Sequence, residues 1–297
     1  MWTIQQYYKE VGAPETIKRY GDVVKQIINY ILDGKHPNLY FNENALLSTD
    51  GTQYPVSWMD AAYPSGTPII ERSGYLVEFN ALWYNALMFA ANLFKDDFTA
   101  LDFVARLEDV AAKCKQSFVE TFLNDYGYLY DYVNGNFTDL SVRPNMIIAA
   151  GLDYSALDRR QRKKVLDIVT RELLTPKGLR TLSPNSYGYR PWYLGSPEER
   201  EMAYYAGSAR PWLMGFYADA YIKVFGLGGI SFIERMMVGY EDELMQGCIG
   251  SLSELYDGNP PYTGRGAVSF AANVGGICRV LRMLKNLDMS NQETSTR

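Results

Sequence analysis

Apolar residues recur at three- and four-residue intervals along most of this 297-residue chain, and this helical periodicity constrains its fold more than any other feature. The segment 15–33, for example, places Ile17, Val24 and Ile31 on one face. Strand signals are weak, and short alternating pieces such as 127–132 are expected to form only small hairpins. Further helices are predicted at 78–93, 100–122, 158–173, 201–225, 230–248 and 266–287. The pattern therefore predicts an all-α protein.

Long connections join the predicted helices. They span 34–76, 124–145, 174–200 and 249–265, and they carry Gly, Pro, Asn, Tyr and Trp together with the loop acids of interest. Loops of this length inside a compact domain usually carry function. Helix pairs with such loops at one end are typical of a helical barrel whose loops form a pocket. We expect one such domain over residues 1–297.

The first residues already have helical character. An apolar stripe begins at once, without a capping residue before it. Its members are Trp2, Ile4, Tyr7, Tyr8 and Val11. The chain is therefore expected to begin inside a helix, with sequence missing before Met1.

Composition excludes several classes of function. The net charge of −5 argues against a nucleic-acid partner, which requires a basic surface. The single histidine, His36, argues against histidine-based zinc sites, Ser-His-Asp triads and Cys-His dyads. Because Cys114, Cys248 and Cys278 are odd in number and far apart, they indicate free thiols in a reducing compartment. Catalysis in this chain must therefore use carboxylates or tyrosines, with no cofactor implied.

The N-terminal segment has no apolar signal core. No apolar run of membrane-spanning length occurs elsewhere either. We therefore expect a cytoplasmic protein that has no membrane partner.

Two acids in the connections are candidate catalytic groups. Asp60 follows Trp58 and Met59, and an apolar neighbourhood favours the protonated form that a general acid needs. Glu254 lies among small residues, which would let a substrate approach. The alternatives are a helix-capping or turn residue at Asp60, and a capping box or solvated acid at Glu254.

Other polar residues are interleaved with aromatic ones. Glu78 and Asn80 alternate with aromatics at a predicted helix start, where they could bind sugar hydroxyls or simply face the helix dipole. Arg143 and Asn145 could face a cavity or tie a loop. The Tyr-rich loop 187–193 could stack on a sugar or pack as a lid. The 24 tyrosines of the chain fit a carbohydrate site, but they fit a Tyr-rich helical core as well.

Several motifs in fixed order, over about residues 2–284, resemble the C-terminal glucosidase domain of glycogen debranching enzymes. They are WMDA at 58–61, VEFNALWYNAL at 77–87, RPN at 143–145, LLTPKGLRTLSP at 173–184, GSARPWL at 207–213 and SLSELYDG at 251–258. The resemblance implies an (α/α)6 barrel of the six-hairpin glycosidase type, incomplete at its N-terminus. The missing part would lie on another chain, or self-association would bury the exposed surface, or the reading frame would be truncated.

The resemblance also implies a reaction. Amylo-alpha-1,6-glucosidases remove an α-1,6-linked glucose from glycogen or limit dextrin with inversion, using one acid and one base. It assigns the general acid to Asp60 and the general base to Glu254. Glycogen, limit dextrin or another α-glucan would be the partner. The glucose pocket would be lined by Trp58, Arg72, Glu78, Asn80, Trp83, Arg143, Asn145 and Trp212.

The chain departs from the family pattern at three motifs. The usual Tyr-His-Gln-Gly-Thr has Tyr205 and Ala206 in place of the histidine and the glutamine. Met146 replaces a glutamine after Arg-Pro-Asn, and Phe270-Ala271-Ala272-Asn273 replaces Gln-Ala-Trp-Ser. These changes leave two alternatives open: a non-catalytic glucan-binding module, and a hydrolase that acts on other α-glucosides.

Overall fold

The computed structural model describes residues 1–295, with the side chains of residues 1–288. Ten α-helices dominate this part of the chain, which confirms the predicted all-α class. None of them is both long and apolar enough to cross a membrane. They are α1 (Trp2–Val11), α2 (Ala13–Leu32), α3 (Val77–Phe94), α4 (Leu101–Phe122), α5 (Asn145–Gly151), α6 (Arg159–Glu172), α7 (Pro197–Ala203), α8 (Met214–Phe225), α9 (Ile230–Val238) and α10 (Ala271–Ser295).

The helices form two layers. In the inner layer α1, α3, α5, α8 and α10 stand side by side in chain order, each in contact with the next. In the outer layer α2 packs on α1 and α3, α4 on α3, α6 on α5 and α8, and α9 on α10. Sequence explains the division, because α3 is apolar on most sides and α5 is buried throughout, whereas α2, α4 and α6 each bury a single stripe.

One contact within the inner layer depends on a glycine. A Cβ added to Gly151, the last residue of α5, would lie 2.4 Å from the carbonyl oxygen of Phe216 in α8. The two helices therefore approach each other as backbones at this point. No larger residue fits at position 151 without a shift of α8.

Two small antiparallel sheets occupy the connections. The first has the strand order β1-β2-β3-β4-β5, and the second has the order β10-β9-β8-β7-β6. Every one of these strands lies in a connection that leads from an outer helix to the next inner helix, so both sheets belong to the same end of the helical layer. The strands are β1 (Tyr40–Phe41), β2 (Leu47–Thr49), β3 (Gly74–Leu76), β4 (Tyr132–Asn134), β5 (Phe137–Thr138), β6 (Leu174–Thr175), β7 (Gly178–Arg180), β8 (Ala209–Arg210), β9 (Leu255–Tyr256) and β10 (Gly264–Arg265).

Three predicted helices have different bounds in the structure. The helix expected at 201–225 is divided into α7 and α8, because Pro211 cannot continue a helix and holds Arg210 in an extended conformation. The helix expected at 230–248 ends at Val238, and the one expected at 266–287 begins at residue 271. The weak strand signal at 127–132 corresponds to a β-bridge and to the start of β4.

Buried apolar residues form one main cluster that draws on both helical layers. A second, small cluster lies in the connections and consists of Met59, Ala61 and Tyr205. Trp58 and Tyr204 pack against it. The segment around residue 60 is therefore fixed to the segment around residue 205, although the two are far apart in sequence.

Candidate active site

Asp60 lies in the connection between β2 and β3, with its side chain exposed. Its Oδ1 accepts a hydrogen bond of 2.7 Å from the hydroxyl of Tyr205. Burial, and then the hydrogen bond to Asp60, raise the pKa of Tyr205 against the lowering effect of Arg210. The phenol therefore stays protonated and acts as a hydrogen-bond donor to Asp60.

Glu254 immediately precedes β9, and its side chain is 16% exposed. Its Oε2 accepts a hydrogen bond of 2.9 Å from the backbone N–H of Ala267. The neighbouring Gly266 has a φ of +69°, and an added Cβ there would lie 2.4 Å from the same oxygen. The hairpin of β9 and β10 thus accommodates Glu254 only because a glycine faces it.

Arg210, at the end of β8, connects the two acids. Its Nη1 lies 3.9 Å from Oε1 of Glu254, and its guanidinium carbon lies 4.9 Å from the ring centroid of Tyr205. Burial lowers the pKa of Arg210 to about 10, partly offset by Tyr205 and Asp60. The guanidinium therefore remains charged at neutral pH. A series of neighbours therefore runs from Asp60 through Tyr205 and Arg210 to Glu254.

A buried ionic network lies beneath these residues. Nη1 and Nη2 of Arg72 contact the two carboxylate oxygens of Glu78 at 2.5 and 2.8 Å, and Nε contacts Oδ2 of Asp131 at 2.7 Å. All three side chains are at most 3% exposed. Burial alone would lower the pKa of Arg72, but the two carboxylates outweigh it and raise that pKa. The three side chains therefore form one buried salt-bridge cluster.

Trp58 connects the network to the aromatic residues Tyr205 and Trp212. Its indole N–H donates a hydrogen bond of 2.7 Å to Asn145, whose amide donates in turn to Asp131 at 2.7 Å. The Trp58 ring makes edge-on contacts with Tyr205 and Trp212, with centroid distances of 5.2 and 5.0 Å. The hydrogen bond fixes the polar edge of the indole, and the two aromatic contacts fix its ring.

Arg143 supports the backbone of the same region. Its Nη1 donates hydrogen bonds to the carbonyl oxygens of Tyr205 at 2.9 Å and Thr181 at 3.1 Å. The side chain is 9% exposed, and burial lowers its pKa. Arg143 therefore contributes to the site by fixing the backbone of Tyr205, and its buried Nε has no hydrogen-bond partner among the described residues.

Asn80 and Trp83 take a different place. The Asn80 amide exchanges hydrogen bonds with the N–H and carbonyl of Leu47, at 2.7 and 2.9 Å. Trp83 donates to the carbonyl oxygen of Ala45 at 3.1 Å and lines a separate apolar pocket. Both side chains hold β2 against α3, and the structure does not bring them to Asp60 and Glu254.

An apolar cavity of about 630 Å³ opens between the inner helices. Its size is in the range that small-molecule sites occupy. Trp58, two positions before Asp60, and Trp212 form part of its wall, and Glu78 and Arg279 are its charged members; Asp60 and Glu254 are not among its lining residues. The remaining lining residues are Trp2, Phe79, Leu82, Ile148, Phe216, Ala272, Gly275 and Gly276.

Sequence reasoning did not identify three members of this site. Asp131 joins Arg72 to Asn145, and the only signal for it is an acid within the alternating aromatic segment 127–132. Tyr205 was noted only as a departure from the family motif. Arg210 was part of a motif but was assigned no role, because its proximity to Glu254 arises from the pairing of β8 with β9.

Comparison with known proteins identifies the family. A sequence profile described as amylo-alpha-1,6-glucosidase matches residues 1–279. The glycogen debranching enzyme of Saccharomyces cerevisiae is 28% identical over 219 aligned positions, which cover 58% of this chain and 14% of that protein. This chain therefore spans a small part of the curated relative that it matches.

Solved structures agree in fold. The neutral trehalase of Saccharomyces cerevisiae matches with a TM-score of 0.53 and 13% identity, over 70% of this chain and 37% of that one. An uncharacterized conserved protein from Thermus thermophilus matches with a TM-score of 0.50 and 13% identity, over 69% and 48%. At this identity the likeness concerns the fold alone, which is of the (α/α)6-barrel type. Taken with the profile match, it shows that this chain belongs to the amylo-alpha-1,6-glucosidase family.

Proposed function

We propose that this chain hydrolyses α-1,6-linked glucose at the branch points of glycogen or limit dextrin, with Asp60 as general acid and Glu254 as general base. The observation that carries the proposal is the pair of carboxyl groups held around Tyr205 and Arg210 with unlike partners. An inverting glycosidase needs two carboxyl groups in opposite protonation states on the two faces of one sugar. Unlike surroundings are the means by which proteins achieve this.

The two roles are assigned by the motifs in which the acids stand, and the contacts leave each carboxyl group able to take its role. Oε2 of Glu254 accepts a backbone N–H, and Oε1 lies 3.9 Å from Nη1 of Arg210, longer than a hydrogen bond. Oδ1 of Asp60 accepts the hydroxyl of Tyr205, so Oδ2 is the oxygen left to face the glycosidic oxygen.

The reaction then balances with water alone. Glu254 takes a proton from a water molecule, whose oxygen forms the new bond to the anomeric carbon. The bond from that carbon to the glycosidic oxygen breaks on the opposite face, and Asp60 supplies the proton to the departing oxygen. A second proton transfer, between solvent and the two carboxyl groups, restores the starting state.

The sugar would bind at the aromatic wall of the cavity. Trp58, two positions before Asp60, and Trp212 offer apolar ring surface. The C–H face of a glucose can pack against such a surface. Asn145 accepts the indole N–H of Trp58 and thereby links that ring to the buried network that contains Arg72 and Glu78. We expect these residues to govern substrate affinity.

The thiols bear on the cellular location. Cys114, Cys248 and Cys278 are all free. Free thiols are the normal state in a reducing compartment. They support the proposal of a cytoplasmic location.

A direct test is the release of glucose from phosphorylase-limit dextrin by the purified protein. We expect release by the native chain and a loss of more than about a hundredfold in both Asp60→Asn and Glu254→Gln. The exposed acids Asp22 and Glu108 supply matched controls, because Asp22→Asn and Glu108→Gln make the same chemical changes away from the cleft. Equal activity of Asp60→Asn and the native chain would refute the assignment.

One observation favours a second candidate, a non-catalytic glucan-binding module. Tyr205 occupies one oxygen of Asp60 and packs its ring against Trp58, on the side from which a substrate would approach. A module of this kind would bind limit dextrin with the same affinity in Asp60→Asn and release no glucose. Two measurements separate the two functions: the binding of limit dextrin, followed by co-sedimentation, and the release of glucose.

A further inference from the structure

Arg210 is buried more completely than its hydrogen bonds explain. It is 3% exposed, and its Nε has no hydrogen-bond partner within the described residues. Nη2 donates to the carbonyl oxygen of Tyr204 at 2.9 Å, and Nη1 has Glu254 at 3.9 Å, longer than a hydrogen bond. Unpaired buried donors are costly, so a stability role alone is a poor reason to keep an arginine here.

The guanidinium is nevertheless held in place. Its carbon lies 4.1 Å from the ring centroid of Tyr204 and 4.9 Å from that of Tyr205. The backbone of Arg210 belongs to β8, which pairs with both β7 and β9, and Pro211 follows it. A planar cation between two aromatic rings, on a backbone fixed by two strands, has little freedom to move.

Three groups reach Glu254 from different segments, and two of them are charged or titratable side chains. Arg210 approaches from β8 and Tyr193 from the loop before α7, while Ala267 donates its backbone N–H. Arg265 of the same hairpin is already engaged by Asp257, at 3.0 and 2.8 Å. Among the residues that the structure describes, only Arg210 is a cation within 4.0 Å of the Glu254 carboxylate.

We infer that Arg210 is a positioning residue, which holds a fixed positive charge beside Oε1 of Glu254 while its contact with Tyr205 links it to the partner of Asp60. The inference rests on the proposed function, since it assigns Arg210 to the same pair of acids. The long Nη1–Oε1 distance leaves Glu254 free to receive a proton. A tight two-bond pair, like that of Arg72 and Glu78, would hold the carboxylate too strongly for a base.

Two substitutions separate charge from packing. Arg210→Met keeps an unbranched apolar stem between the rings and removes the charge. Arg210→Lys keeps a positive charge but loses the planar group that stacks on Tyr204. Circular dichroism and thermal unfolding of both variants establish that they are folded before any other comparison is made.

The protonation of Glu254 can be read without catalysis. Carbon-13 NMR of protein labelled at glutamate side-chain carboxyl carbons gives a titration for each residue, and the signal absent from Glu254→Gln belongs to Glu254. We expect its midpoint to be higher in Arg210→Met than in the native chain, because the substitution removes a positive charge 3.9 Å from Oε1. Arg210→Lys should move it less. An unchanged midpoint in Arg210→Met would overturn the inference.

Activity supplies the second readout. In Arg210→Met we expect kcat for glucose release to fall at least tenfold with KM nearly unchanged, and the acidic limb of the pH–rate profile to move upward with the NMR midpoint. Arg210→Lys should recover part of kcat. If Arg210→Lys and Arg210→Met lose the same activity with the same profile, the charge has no role. If the NMR midpoint shifts and the native chain releases no glucose, only the proposed function fails.

Discussion

The hydroxyl of Tyr205 donates a hydrogen bond of 2.7 Å to Oδ1 of Asp60, from 145 positions further along the chain. Tyr205 is itself 5% exposed and packed with Met59 and Ala61 in a small apolar cluster. Asp60 therefore has one oxygen held by a rigid donor and one oxygen free. This fixes the orientation of the carboxyl group.

Removal of that donor should affect catalysis more than binding. In Tyr205→Phe the packing is kept and Asp60 loses its orientation, so we expect kcat to fall about two- to tenfold, as for the loss of one hydrogen bond between neutral groups. Steady-state kinetics on limit dextrin measures the effect. Tyr63→Phe changes an exposed tyrosine in the connection between β2 and β3, which also carries Asp60, and serves as the control. A kcat equal to that of the native chain would show that Tyr205 does not orient Asp60.

The buried network should govern stability. Arg72→Met leaves Glu78 and Asp131 without their cation, so we expect a loss of about 3–5 kcal/mol in the free energy of unfolding. Urea denaturation measures it. Lys163 forms an exposed pair with Asp167, and Lys163→Met should cost only about 0.3–0.5 kcal/mol. Similar losses in the two variants would mean that Arg72 is not essential to the network.

Helical periodicity predicted the layers of this fold well. The segments that form α2, α4 and α6 have apolar stripes in the sequence, and each of these helices buries the face that carries the stripe. The ends of the later helices could not be predicted as well. The break between α7 and α8 depends on the pairing of β8 with β7 and β9, and such two-residue strands leave little mark in a sequence.

The site was predictable in part. Asp60 and Glu254 stand in motifs that resemble a known family, and the structure brings both to Arg210. The contacts among side chains were not predictable, since Asp131 and Tyr205 reach their partners across 59 and 145 positions. Sequence spacing carries no information about such contacts without the fold.

Close packing of α5 on α8 should make one glycine irreplaceable. Gly151→Ala places a Cβ 2.4 Å from the carbonyl oxygen of Phe216, so we expect a loss of about 1–3 kcal/mol in the free energy of unfolding. Gly228, where an added Cβ would meet nothing within 4 Å, provides the control in Gly228→Ala. Thermal and urea unfolding of both variants measure the difference. A Gly151→Ala protein as stable as Gly228→Ala would show that the two helices can separate at no cost.

Asp153 should make stability depend on pH. Burial alone would raise its pKa, but Lys223 at 3.0 Å and Lys9 at 2.6 Å outweigh burial and hold the pKa below the usual 3.8. The unfolded chain then binds this proton more readily than the native one. The stabilisation is therefore complete above the unfolded pKa and is lost as pH falls through the folded pKa.

Asp153→Asn tests this relation. At pH 7 we expect the variant to be less stable by about 1–3 kcal/mol, because both lysines lose their charged partner. The difference should shrink as pH falls below about 4, where the native carboxylate becomes protonated as well. Urea denaturation across this range measures both values. A difference that stays constant down to about pH 2.5 would mean that the contribution of Asp153 does not depend on its charge.

The most direct test of the central claim is the configuration of the glucose first released from limit dextrin. Proton NMR recorded within the first minutes distinguishes the two anomers before they equilibrate. Attack by a water molecule that Glu254 activates, opposite the oxygen that Asp60 protonates, predicts β-glucose from the α-linked branch. Release of α-glucose would contradict the two-carboxylate inverting mechanism, and absence of free glucose from folded protein would contradict hydrolysis by this chain.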